Sequence, residues 1–134
     1  MRKISNYIKD SLMWLWQLPQ NMLALFIEGF LCLAACRKDV VDGNIIIECN
    51  VIPAAMSLGD YVFINENTTK STIKHECGHC KQSNILGPLY LLVIGIPSLL
   101  HNIVHYLCYK TGIKWNFYSF YTEAWANKLA ENIK

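Results

Sequence analysis

At 134 residues and 15.4 kDa the chain has room for one domain built on one core. With 53% hydrophobic and 16% charged residues it cannot be an intrinsically disordered chain, which needs the reverse balance. The net charge is only +2 and its lysines and arginines are scattered, which excludes the clustered basic face of a nucleic-acid-binding protein.

Residues 4–18 read as a helix with Trp14, Leu15 and Leu18 among its apolar positions, and Pro19 breaks or kinks it. Residues 20–36 resume as an almost wholly apolar helix. That stretch ends Leu33-Ala34-Ala35-Cys36, which has the look of a bacterial lipoprotein cleavage box. Against export, Glu28 lies inside the apolar run, and Lys9, Asp10, Gln17, Pro19 and Gln20 precede it, so the segment is not a clean signal peptide. A cytoplasmic or membrane-associated location is favoured over an exported lipoprotein. Packing into the core is the default role for the first 36 residues. Contact with a membrane surface, or with a second copy, is the alternative.

Asp42-Gly43 is a turn signal. Residues 44–52 follow as a strand on the β-branched run Ile45-Ile46-Ile47, ended by Pro53. Ser57-Leu58-Gly59 reads as a turn and residues 60–65 as a second strand. A helix capped by Ser71 or Thr72 runs to Leu86 and stops at Gly87-Pro88. Residues 89–110 form a further helix, kinked near Pro97. Its uncharged first 12 residues suit a buried core helix better than a membrane span, and His101, Asn102 and His105 weigh against a span. A last helix covers residues 119–132, capped by Ser119 or Thr122. The expected class is α+β: a single, helix-rich domain over residues 1–134 with a small sheet.

The stretch that carries chemistry is His75-Glu76-Cys77-Gly78-His79. Residues i and i+4 share one helix face, so two imidazoles there can converge on a tetrahedral Zn²⁺. Glu76 sits about 100° around the helix, where it can reach a metal-bound water and act as general base. Catalytic zinc needs a third protein ligand. Glu123, 44 residues beyond His79, is preferred, with His101 and His105 as alternatives. Tyr118, Tyr121 and His105 are candidate oxyanion donors. The six cysteines show no disulfide framework and read mostly as buried free thiols. Cys77-Gly78-His79-Cys80 also has C-x-x-C spacing, a second enzyme class, but it lies mid-helix after a polar approach rather than after an apolar strand. His75, Cys77, His79 and Cys80 cannot all face one point on a regular helix.

His75-Glu76-x-x-His79 with a distant helical Glu123 resembles the gluzincin branch of zinc metallopeptidases. In that branch the third ligand belongs to a Glu-x-x-x-Asp pattern whose Asp supports a ligand histidine. Here that position is Asn127, which can accept a hydrogen bond but carries no charge. The sequence is closer still to small bacterial zincin-like proteins. The likeness rests on Trp-Gln-Leu-Pro-Gln-Asn at 16–21, Ser-Leu-Gly-Asp-Tyr at 57–61, Leu-Gly-Pro-Leu-Tyr at 86–90, Gly-Ile-Pro-Ser at 95–98 and Tyr-Thr-Glu at 121–123. It covers most of residues 14–130 and implies a zincin-like metal site with a Zn²⁺ cofactor, but that family itself gives no substrate. The likeness to zincins in general points to a peptide or protein substrate of unknown identity, with strand 60–65 as the edge that pairs with it. The competing class is a zinc-binding or membrane-associated protein that keeps the fold without catalysis.

Overall fold

The computed structural model describes residues 2–114 and 116–133. Two helices come first, α1 (Arg2–Trp16) and α2 (Leu18–Leu31). Strands β1 (Arg37–Val41), β2 (Asn44–Glu48), β3 (Met56–Leu58) and β4 (Tyr61–Ile64) follow, then α3 (Lys70–Leu86), α4 (Ile96–Thr111) and α5 (Tyr121–Ala130). The class is α+β, as expected.

The four strands form one mixed sheet in the order β1-β2-β4-β3, with β2 and β4 parallel and the outer pairs antiparallel. Alternation along β2 and β4 divides the core. Ile47, Tyr61 and Phe63 point to one face, where Ala24, Ile27 and Leu31 of α2 cover them. Ile46, Val62 and Ile64 point to the other, against Cys77 and Cys80 of α3. The sheet is therefore held between α2 and α3, and α5 packs along α3, its end joining the α3–sheet cluster through Ala130.

Two strands lie outside the sequence expectation. Asp42 and Gly43 have φ of 49° and 82°, and Val41 pairs with Asn44, so the turn closes a two-residue hairpin of β1 on β2. The polar Arg37-Lys38-Asp39 hides this strand in a hydropathy reading, and such charges are usual on an edge. β3 is three residues long and includes Ser57 and Leu58, which read as a turn. Its presence corrects the expected edge: β4 is interior, and β3 is the free strand beside α3. β2 stops at Glu48 rather than residue 52, because Cys49 bonds to Cys36 and the chain turns there. That disulfide ties the end of α2 to the sheet. It also corrects the reading of these two cysteines as free thiols and occupies the sulfur of the would-be lipoprotein box.

The helix ends differ in detail. Thr69 caps α3, its Oγ1 accepting the Thr72 amide at 3.2 Å, in place of Ser71 or Thr72. Neither Ser119 nor Thr122 caps α5. Its N-cap is Phe120, which follows a 3₁₀ turn at Phe117–Ser119. Pro19 lies in the first turn of α2, where its missing N–H costs nothing, so it starts that helix. The distortion placed at Pro97 lies earlier, in a π-turn over Leu91–Gly95.

The Gln17–Asn21 joint latches α1 and α2 to the site-bearing half. The Gln17 amide donates to Asp60 Oδ1 and Asn84 Oδ1 (2.8 and 2.9 Å). The Gln20 amide donates to Ser83 Oγ and the Gly87 carbonyl (2.8 and 2.9 Å), and Asn21 Oδ1 accepts the Asp60 amide at 3.0 Å. All three side chains are fully buried, so each bond replaces water that is unavailable there.

Gly78 sets the spacing of α3 and α5. A Cβ at this position would collide with the carbonyl oxygen of Ala126, a backbone atom that cannot rotate away. Gly78→Ala gains about 1 kcal/mol of helix propensity but overpacks the interface, a cost of typically 1–3 kcal/mol at such sites. The clash falls on backbone, so overpacking wins. The variant is expected to be net destabilised, with a lowered thermal midpoint; an unchanged or raised midpoint would show that the helices part without cost.

Candidate metal centre

α3 presents His75 and His79 on one face, and α5 brings Glu123 against them. The three ligand atoms lie within 4.8 Å of one another. His75 Nε2 is 3.0 Å and His79 Nε2 3.4 Å from the same carboxylate oxygen, Glu123 Oε2. The two rings meet edge to face with centroids 4.9 Å apart. Glu123 and His79 are buried and His75 is half-buried.

The outer nitrogens are fixed by neighbours. His75 Nδ1 bonds Asn127 Oδ1 at 2.7 Å, and Asn127 is one helical turn beyond Glu123. His79 Nδ1 bonds Gln82 Oε1 at 2.7 Å, and the Gln82 amide in turn donates to the Thr122 carbonyl at 2.8 Å. Amide oxygens can only accept, so both Nδ1 atoms carry hydrogen and both Nε2 atoms face inward. Glu123 Oε1 accepts from Ser98 Oγ at 2.6 Å and Thr122 Oγ1 at 3.1 Å, leaving Oε2 for the histidines. Two imidazole nitrogens and one carboxylate oxygen, each held from behind, form a donor set that could hold a metal ion and that has the composition catalytic zinc takes. A tetrahedral ion at about 2.0–2.2 Å from each would place ligand atoms on the order of 3.3 Å apart. The spacings to Glu123 already match that.

The charges are coupled. Burial pushes the Glu123 carboxyl up, but the bonds from His75, His79 and Ser98 outweigh it and hold it well below the usual carboxylate range. Burial pulls His75 down, and Glu123 and Asn127 more than reverse that, so it is raised above its ordinary 6.5. The stability effects have opposite signs. Glu123 stabilises the metal-free chain above its ordinary value of 4.5, and this is lost as pH falls through its depressed value. His75 stabilises it below 6.5, and this is lost as pH rises through its raised value. Metal-free protein is expected to be most stable between pH 4.5 and 6.5, with a thermal midpoint that declines on the alkaline side. A midpoint rising from pH 6.5 to 8 would contradict the pairing.

Glu76, also buried, lines the same cavity as the triad, and its Oε2 accepts from Ser57 Oγ of β3 at 2.9 Å. The cavity has a volume of about 630 Å³. Its walls are largely apolar, with Leu23 and Ile27 from α2, Leu58 from β3, and Ile96 and Leu99 from α4. Tyr90 is buried on its wall, and burial holds its phenol proton far more firmly than usual.

The other candidates lie elsewhere. His101 is buried; its Nε2 is 3.0 Å from the Phe117 carbonyl, and its ring stacks on Phe117 and Phe120. His105 meets the Phe117 ring and lines a separate small hollow. Neither joins the triad. Of the proposed oxyanion donors, Tyr121 is engaged with the Val93 carbonyl at 2.6 Å, whereas Tyr118 lines the cavity with its ring centroid 6.0 Å from that of His75. Cys77 and Cys80 are fully buried against the sheet, and burial pushes both thiols up. A redox C-x-x-C needs an accessible thiol of lowered pKa, so this environment is the opposite of the one that class requires.

Sequence reasoning missed Ser57, Ser98, Gln82 and Tyr90. Gln82 was within reach, since it stands at i+3 from His79 on the same helix face. The others come from separate elements that no spacing links to the motif. No family model, curated protein or solved structure matches this chain.

Proposed function

We propose that this protein is a zinc-dependent hydrolase of the gluzincin type that cleaves peptide or amide bonds. The observation that carries the reading is the meeting of two inward-facing Nε2 atoms with one carboxylate oxygen beside a cavity that also holds Glu76. His75, His79 and Glu123 would hold the ion. Such an ion supplies Lewis acidity and lowers the pKa of a coordinated water to about 7.

The chain's own residues supply the rest. Glu76 takes a proton from the attacking water and returns it to the leaving amine. Ser57 donates to Glu76 Oε2 and so fixes the direction of the carboxylate. The free edge of β3 borders the cavity and offers main-chain hydrogen bonds to an extended peptide. Tyr118, on the cavity wall near His75, is the hydroxyl assigned to the oxyanion. Asn127 and Gln82 keep the imidazoles turned inward.

The test is digestion of a mixed peptide library by zinc-loaded protein, read by mass spectrometry. Cleavage that disappears on chelation and returns with zinc is expected. A zinc-loaded, folded chain that leaves every peptide intact would reject the hydrolase reading.

A further inference from the structure

The outer faces of α1, α2 and α4 are apolar and uncovered. Only His101 is buried among the 16 residues of α4. Leu92, Leu100, Ile103, Val104 and Leu107 stand 42–65% exposed. The stretch Leu91–Thr111 is long and apolar enough to cross a bilayer, and only 11% of its most apolar window is buried in the protein. A core helix would be mostly buried, so the sequence reading of this segment as a buried core helix is corrected. α1 repeats the pattern. Ile4, Ile8, Leu12 and Leu15 follow one another at helical spacing and are 57–66% exposed, and none of its described side chains is buried. An isolated helix of 15 residues is marginal in water. On α2, Met22, Phe26 and Phe30 are 53–71% exposed.

Charge and area identify what covers these faces. No Lys, Arg, Asp or Glu occurs from Gln82 to Tyr109, and Glu28 is the only one from Ser11 to Cys36. Glu28 is ion-paired with Lys38 of β1. Cations stand at the ends of these stretches, Lys9 beside Asp10 before the first, Arg37 and Lys38 after it, Lys81 before the second and Lys110 and Lys114 after it. Tyr106 and Tyr109 share the last turns of α4, and the Lys110 ammonium lies over the Tyr106 ring. Uncharged apolar faces that end in aromatic and basic residues complement hydrocarbon bounded by anionic headgroups. The accessible surface is 9050 Å², against about 7,200 Å² for a compact monomer of this mass. The excess is roughly twice the ~800 Å² that one partner loses in a standard dimer, so a second copy would leave much of it in water.

We propose that the outer faces of α1, α2 and α4 are buried in a lipid bilayer, with the His75/His79/Glu123 group held at the membrane surface. α2 and α4 also wall the cavity through Leu23, Ile27, Ile96 and Leu99, so the cleft lies between the two lipid-facing elements. A membrane-associated chain segment therefore reaches it without leaving the bilayer surface. That last step rests on the hydrolase reading; the bilayer contact does not.

The test is flotation of the full chain with vesicles of phosphatidylcholine containing one quarter phosphatidylglycerol, with zinc content measured on the same samples. The protein is expected to float and to stay bound in high salt and alkaline carbonate. Leu100→Lys and Leu107→Lys, outside the cavity, are each expected to lower the partition coefficient roughly a hundredfold with zinc content unchanged. Three results would overturn the proposal. One is a monodisperse, detergent-free monomer or dimer that does not float. Another is release by salt alone, which would mean attachment only through lysines. The third is full flotation of both lysine variants. Zinc content reports on the metal centre separately, so failure of one reading is not mistaken for failure of the other.

Discussion

Replacing Glu76 by glutamine is expected to leave zinc uptake intact and to lower peptide hydrolysis about 10²–10⁴-fold, the range associated with loss of a general base. The change is nearly isosteric. It removes a negative charge from a buried position, so the fold loses no ion pair, and a glutamine oxygen can still accept from Ser57 Oγ. Glu76 is not one of the three converging groups, so the donor set survives. The loss should therefore appear in kcat with KM nearly constant. Turnover retained in this variant would remove Glu76 from the role assigned to it.

Glu123→Ala is expected to weaken zinc binding by about a hundredfold or more, since it deletes a proposed direct ligand and loss of a mere supporting contact already costs 10–100-fold. The substitution also removes the partner of two hydroxyl donors and two imidazoles. His75, His79, Ser98 and Thr122 all bond this one buried carboxylate. Hydrogen bonds to a charged group contribute about 1.5–3 kcal/mol each, so the metal-free variant is also expected to be less stable. Glu123→Gln separates the two effects. Its amide oxygen can still accept from Ser98 and Thr122, but it offers the ion no negative charge. A folded Glu123→Gln protein with weakened zinc binding is the expected outcome; unchanged affinity in both variants would remove Glu123 from the donor set.

The candidate metal-binding histidines were legible in the sequence for a local reason. His75 and His79 are four residues apart on a helix with clear stop signals, and periodicity alone puts them on one face. Glu123 was legible as the preferred third group over His101 and His105, but a distance of 44 residues carries no geometry that fixes it. What selects it is the α3–α5 contact over Gly78, a tertiary fact. The sheet was half legible. Ile45-Ile46-Ile47 and Tyr61-Val62-Phe63-Ile64 form its buried centre and carry strong strand signals. β1 and β3 are edges, one charged and one three residues long, and edge strands need neither hydrophobicity nor length. The expected substrate edge was misplaced for the same reason. The Trp16–Asn21 segment belonged to a resemblance with no physical account attached. The structure gives it one, as three buried amides that join the helical hairpin to α3 and the β3–β4 turn. The 91–111 helix reads the same in sequence whether it is buried or exposed; the structure leaves it only 11% buried over its most apolar window, which composition alone does not reveal.

The most direct measurement of the central claim is the zinc content of the full chain, purified without chelator, beside Glu123→Gln prepared in the same way. The account predicts close to one zinc per chain in the natural sequence and a sharp fall in the variant. Equal zinc in the two proteins, or none in either after incubation with excess zinc, would contradict the metal centre formed by His75, His79 and Glu123.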